Sequence, residues 1–153
     1  MILIVDDESL IRFAIRRILK GQGYDVIEAG DGLEALELVS RWRSDLVITD
    51  LRMPNLDGAD LALQIHASWP GTAVILTSEY FSQKAQKVIS AGLAGFIYKP
   101  IEQDVLIAKI QSAVSRFGVQ KIHPATSQDT AVMAGLAASR HGTRSRNFKP
   151  RNT

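Results

Sequence analysis

The chain has 153 residues, 46% hydrophobic and 22% charged, which suits one globular domain able to bury roughly 68 to 70% of its unfolded surface. It contains no cysteine, so disulfides and thiolate metal sites are excluded, and no apolar run approaches the ~20 residues of a membrane-spanning helix. The net charge of +2 is unevenly spread: residues 1–118 hold 15 acids against 12 bases, a balance of −3, and residues 119–153 hold one acid, Asp129, against six bases, a balance of +5.

The N-terminus, MILIVDDES, has neither a basic leading region nor a cleavage site, so a cytoplasmic protein is expected. Short apolar runs at 2–5 (ILIV), 46–49 (LVIT), 73–77 (AVILT) and 95–98 (GFIY), with a more mixed YDVIEA at 24–29, read as strands. Between them lie helical spacings: Leu10, Ala14 and Ile18; Leu33, Leu36 and Val39; Leu61 and Ile65; Ala85, Val88 and Ile89; then Val105, Ile107, Ile110 and Val114. Glycines near or after helix ends, Gly21, Gly23, Gly92 and Gly118, mark stops. Five strand-helix pairs with strands apolar on both faces predict a parallel sheet covered on both sides, a doubly wound α/β fold. Residues 119–153 are rich in Ser, Thr, Gly, Pro and Arg without apolar periodicity and are expected to be a basic, largely disordered tail. Only 129–138, DTAVMAGLAA, has the makings of a short helix there, capped by Asp129 and interrupted by Gly135.

The polar residues at strand ends form a pattern. Asp6 and Asp7 follow the first strand, Asp50 ends the third, Thr77 the fourth and Lys99 the fifth. That edge of an open doubly wound sheet holds the ligand crevice, and in the order 2-1-3-4-5 these five residues converge. Three carboxylates within ~5 Å would repel by about 3 kcal/mol per pair at an effective dielectric of ~20, so one is protonated or a cation is present. Mg²⁺ is the natural remedy, since it takes oxygen ligands from one or two carboxylates plus phosphate oxygens. A phosphoryl group then becomes the missing partner: Lys99 and the ion neutralise its oxygens, the Thr77 hydroxyl donates to one, and Asp50 is the nucleophile.

The segments VDDE at 5–8, DLRMPNLDG at 50–58, ILTS at 75–78 and AGLAGFIYKP at 91–100 resemble, in order and spacing, the receiver domain of two-component response regulators. The resemblance covers residues 1–118 and implies a flavodoxin-like, five-stranded sheet in the order 2-1-3-4-5. It also implies that Asp50 is the phosphoacceptor, served by a sensor histidine kinase or a histidine phosphotransfer protein. By the same resemblance Asp7 is a direct Mg²⁺ ligand, Asp6 holds the ion through water, and the backbone carbonyl of Arg52 completes the protein ligands with Asp50. Thr77 and Phe96 match the switch pair, Lys99 the lysine that contacts the phosphate, and Lys99–Pro100 a cis peptide bond. The implied outcome of phosphorylation is a changed surface of the fourth helix, fifth strand and fifth helix, which regulates a downstream partner.

Departures from the family pattern are Ser78, where alanine is common, and Phe96, where tyrosine is more frequent. Arg52 and Glu79 occupy positions through which the family varies the lifetime of its phosphate, and they are expected to pair across the pocket mouth. Each motif alone has a bland reading: VDDE as a helix cap, MPNLDG as a turn, Thr77 as a strand residue, Phe96 as core, Lys99 as a solvated lysine. Their joint placement is what outweighs those readings. His66 is expected at a surface or boundary, and none of His66, His123 and His141 has a metal-ligand spacing.

The favoured reading is therefore a phosphorylation-dependent signalling switch whose only chemistry is its own phosphorylation and dephosphorylation. Two alternatives stay open: the receiver part of a DNA-binding regulator whose output domain is missing, and a phosphohydrolase of the haloacid dehalogenase type. The latter wants a second acid where Arg52 stands. After Gly118 only 35 residues follow, so specific DNA binding is not expected, although the basic tail suits weak contact with nucleic acid or an anionic membrane. Kinase choice is expected to rest on the first helix, here Arg12, Phe13, Arg16 and Arg17. Lys84, Ala85, Lys87 and Val105, near the candidate output face, are expected either to make the contact of a phosphorylation-dependent homodimer or to contact nothing.

Overall fold

The computed structural model of the protein describes residues 1–117. The segment 119–153, with its expected disorder, helix at 129–138, His123 and His141, lies outside the described residues, as does Gly118. Ten elements alternate along the chain: β1 (Ile2–Val5), α1 (Ser9–Gly21), β2 (Val26–Ala29), α2 (Gly32–Trp42), β3 (Leu46–Asp50), α3 (Gly58–Ser68), β4 (Ala73–Ser78), α4 (Gln83–Ser90), β5 (Gly95–Tyr98) and α5 (Gln103–Phe117). All strand pairs are parallel, in the order β2-β1-β3-β4-β5.

The period of two along each strand splits the core into two layers. Ile2, Ile4, Leu46, Ile48, Ala73, Ile75 and Ile97 pack with Ile15 and Leu19 of α1 and Leu106, Ile110 and Ala113 of α5. The intervening residues, Leu3, Val5, Val47, Val74 and Leu76, pack with α2, α3 and α4 through Ala35, Val39, Leu61, Ile65 and Val88. Ile4, Leu46, Ile48 and Ile75 are essentially inaccessible, and each such side chain contributes roughly 1.5 to 3 kcal/mol of burial. This explains why β1, β3 and β4 read as unbroken apolar runs, whereas the edge strand β2 is only half-buried and carries Glu28.

Helix ends follow local chemistry. Asp31 accepts from the amides of Leu33 and Glu34, while Glu34 reaches back to the Gly30 amide at 2.7 Å. Ser82 accepts from the Ala85 amide at 3.0 Å at the start of α4. Asp57 caps α3 through the Asp60 amide at 2.9 Å, and Asp57→Ala is expected to cost about 1 kcal/mol, read from the urea midpoint at constant slope. Gly92, after α4, holds a left-handed φ of +76°, which an L side chain resists. At the end of α2 the left-handed residue is Arg43, at φ +48°, with no glycine to relieve it.

Candidate functional site

The parity that builds the α1/α5 layer also builds the site. Two residues beyond the last buried residue of each strand on that face come Asp6 after Ile4, Asp50 after Ile48, Thr77 after Ile75 and Lys99 after Ile97. Registration of β3 with β4 places Asp50 beside Thr77. The Lys99 ammonium lies 2.8 Å from Asp6 Oδ2 and 3.1 Å from Asp50 Oδ1, joining positions far apart in sequence. The peptide bond between Lys99 and Pro100 is cis, as expected.

Asp50 is additionally held by the Arg52 amide, which donates to Oδ2 at 3.2 Å. Asp6 Oδ1 accepts from the Glu8 amide at 2.9 Å just ahead of α1, whose N-cap residue, Glu8, makes no side-chain cap bond, so the bland helix-cap reading of VDDE fails. Burial pushes the Asp50 carboxyl up. The Lys99 hydrogen bond and charge pull it down, the charge of Asp6 pushes it up again, and the Arg52 amide lowers it, leaving it above its ordinary 3.8. Burial works against the charged form of Lys99 too, but hydrogen bonds and charge from Asp6 and Asp50 prevail and hold its pKa above 10.5. Thr77 is buried beside this cluster, and its hydroxyl donates to the Thr49 carbonyl at a long 3.4 Å.

The acidic group opens into a cleft of about 720 Å³ lined by Asp7, Glu8, Asp50, Arg52, Glu79 and Lys99 at its polar end. Ile11, Ile15, Ile18 and Ile101 line its apolar end, between α1 and the β5–α5 connection. Among the described residues no group of three or more His, Cys, Asp and Glu side chains is arranged to hold a metal ion. The crowding expected of Asp6, Asp7 and Asp50 is relieved here by Lys99, which takes the place between two of them, while Asp7 is exposed on the cleft wall.

The rim departs from expectation. Arg52 does not pair with Glu79; its guanidinium lies over the Tyr80 ring, 5.1 Å from the centroid. Tyr80 is exposed and adjacent in sequence to Glu79, so a flat cation gains more from the aromatic face there than from a fully solvated carboxylate. Phe96 is half-buried and wedged edge-to-face between Phe81 and Tyr98, both at 4.9 Å between centroids. Lys84 is not a free surface charge: it bridges Asp57 at 2.6 Å and Asp60 at 2.5 Å, tying α4 to the start of α3. Burial raises Asp57, yet the Lys84 hydrogen bond, the Asp60 amide, the charge of Lys84 and the Ala59 amide together bring its carboxyl below the ordinary value. His66 is exposed.

Sequence reasoning set Arg12 on the kinase-facing helix but missed its contacts: Nη1 donates to the Asp6 carbonyl at 2.7 Å while Nε meets Glu28 at 3.3 Å. The one available signal was the spacing of Arg12 and Arg16, four apart on one helix face, with an acid on the neighbouring strand.

This arrangement has counterparts in known proteins. A family model of the response regulator receiver domain matches residues 2–111, and the chain belongs to that family, the receivers of two-component signalling. The transcriptional regulatory protein PdtaR of Mycobacterium tuberculosis is 41% identical over 119 residues, which are 76% of this chain and 57% of that protein. Response regulator MprA of Mycobacterium leprae is 34% identical over 116 residues, 75% of this chain and 51% of that one. The chain thus spans little more than half the length of these curated relatives. Among solved structures, chemotaxis protein CheY4 of Vibrio cholerae superposes with a TM-score of 0.67 at 29% identity, covering 73% of this chain and 96% of that one. A CheY-like receiver domain from Methanospirillum hungatei gives 0.72 at 28% identity, covering 78% and 97%. Family membership sets aside the dehalogenase-type phosphohydrolase, in keeping with Arg52 standing where that chemistry wants an acid.

Proposed function

We propose that Asp50 accepts a phosphoryl group and that the domain is a signalling switch thrown by that event. The observation that carries this is the Lys99 ammonium seated between Asp6 and Asp50 at the floor of an open cleft. An Asp50 oxygen forms the new bond to phosphorus as the donor's bond to phosphorus breaks, phosphorus–nitrogen in a phosphohistidine and phosphorus–oxygen in acetyl phosphate, and the leaving imidazole or acetate departs with that electron pair. Lys99 stands where charge builds on the transferred oxygens. The long Thr77 bond to the Thr49 carbonyl is one that a phosphoryl oxygen readily replaces. Phe96, alongside β4 through its register with Leu76, is the aromatic placed to answer that movement.

The donor set fits Mg²⁺. Asp7 and Asp50 offer hard oxygens on the cleft wall, with Asp6 buried and paired with Lys99, and two carboxylates with waters and phosphate oxygens satisfy an ion that keeps much of its hydration. The Arg52 carbonyl is the remaining protein oxygen assigned to it. When bound, the ion neutralises charge on the transferred group. Residues 1–118 form the receiver in this reading, and 119–153 a separate basic segment.

A histidine kinase or phosphotransfer protein is the donor that receiver membership implies. The exposed Phe81 and Tyr98, both packed on Phe96, and the exposed Val105 near the start of α5 are large apolar side chains of β5, α5 and the β4–α4 connection open to a downstream partner. The name of the M. tuberculosis relative, and its greater length, also support a reading in which such a receiver serves a longer transcriptional regulator. Salt-sensitive retention of residues 1–153, but not 1–118, on DNA would assign only the weak nucleic-acid contact expected of the basic segment.

The deciding experiment is intact mass after incubation with Mg²⁺ and acetyl phosphate. One added phosphoryl group, hydroxylamine-labile and absent in Asp50→Asn or without metal, is the expected result. A folded protein that gains nothing from acetyl phosphate or from a panel of phosphorylated kinases would overturn the proposal.

A further inference from the structure

We propose that Arg12, braced by Glu28, is a positioning residue that sets the Asp6–Asp7 segment for divalent-ion binding; this rests on the phosphorylation reading above. Asp6 is held at four points. Its amide donates to the Ala29 carbonyl at 3.3 Å, its carboxylate takes the Glu8 amide and the Lys99 ammonium, and its carbonyl takes Arg12 Nη1 at 2.7 Å. The last bond differs in consequence from the others. The carbonyl of Asp6 shares a rigid plane with the amide of Asp7, so a clamp on that oxygen fixes the direction in which the chain enters Asp7. Asp7 is exposed, and no other hydrogen bond or ion pair described for it would restrain that entry.

Arg12 is itself anchored. Nε meets Glu28 Oε2 at 3.3 Å, and Arg16 meets Glu28 Oε1 at 3.2 Å, so one β2 carboxylate holds two α1 guanidiniums. The Arg12 and Glu28 side chains are 20% and 27% exposed, which makes this pair less screened than Arg16, at 47%. A guanidinium presents separate donors in a fixed fork, one to the carbonyl and one to the carboxylate; a lysine ammonium on a flexible stem does not span both in that geometry. The brace therefore joins α1, the end of β1 and β2 at the edge where the acids stand. Arg16 touches the same carboxylate without touching Asp6, and so supplies the control.

The test uses the full chain and its variants Arg12→Ala, Arg12→Lys, Glu28→Gln and Arg16→Ala. Mg²⁺ binding is read from the amide shifts of Asp7 and Glu8 without a phosphodonor, and the Mg²⁺ dependence of acetyl phosphate labelling is measured separately. Arg12→Ala is expected to weaken Mg²⁺ binding about tenfold, the usual scale for losing a partner behind a ligand. Arg12→Lys and Glu28→Gln should fall between parent and alanine variant, and Arg16→Ala should stay within about twofold of parent. Labelling at saturating Mg²⁺ should recover to near the parental rate in each, which a general loss of structure would not allow. If Arg12→Ala fails to fold, Arg12→Lys decides in its place. Parental Mg²⁺ affinity in the folded Arg12 variants, or an equal loss in Arg16→Ala, would overturn the proposal. Tight Mg²⁺ binding by a parent that never takes up phosphate would instead overturn the phosphorylation reading and leave Arg12 in its role.

Discussion

Lys99→Ala is expected to destabilise the domain by about 3 kcal/mol at pH 7, because it removes the cation from two carboxylates that have almost no contact with water. Asp6 is 1% exposed and the side chain of Asp50 10%, so neither recovers its hydration when the ammonium is lost. In a domain of this size the loss lowers the melting temperature by roughly 10 °C. The same substitution should slow phosphorylation of Asp50 about a hundredfold, the scale for removing one donor aimed at developing charge.

The pH dependence has a definite sign. Lys99 is held above 10.5 in the fold, so its stabilising contribution is present below that pH and is lost as pH rises through the higher folded value. Asp50 is raised above 3.8, so the native state binds its proton more readily than the unfolded chain does. Its contribution is therefore unfavourable above that pH and fades on acidification. Without Lys99 the Asp50 shift grows, so the penalty of the variant should shrink between pH 7 and pH 5. Urea unfolding of parent and variant at both values measures this, and an equal difference at the two pH values would show that the pair is not electrostatically coupled as described.

Gly58→Ala should be comparably damaging for a reason of space. An added Cβ at Gly58 would sit 2.2 Å from the Asp50 carbonyl oxygen and 3.0 Å from its carbonyl carbon and from Leu51 Cα. These are backbone atoms of the strand end that carries Asp50, so they cannot swing aside as a side-chain tip would. The backbone hydrogen bond from the Gly58 amide to the Leu51 carbonyl, at 2.9 Å, keeps the two segments together. Overpacking of this kind costs about 3 kcal/mol, and relief by shifting β3 would carry Asp50 away from Lys99. A melting temperature within about 2 °C of the parent, with labelling intact, would show that the loop opens more easily than its packing indicates.

The amino-acid sequence by itself determined the ten elements and their type, with strand bounds that miss by up to two residues: β2 starts at Val26 and not at 24, and β4 runs on through Ser78. The elements depend on local periods, two for strands and 3.6 for helices, and on punctuation such as the glycine at 92 after α4. It also placed Asp6, Asp50, Thr77 and Lys99 at the correct edge, since a residue that follows an apolar run leaves the sheet where the run stops. The family resemblance added the sheet order and the roles proposed for them. Cross-element partners were another matter. That Arg52 stacks on Tyr80 and leaves Glu79, that Lys84 spans Asp57 and Asp60, and that Arg12 reaches the Asp6 carbonyl were decided only by the tertiary structure. Long side chains have several rotamers within reach of several partners, and the choice among them depends on strand register, helix rotation and burial, which no local period encodes.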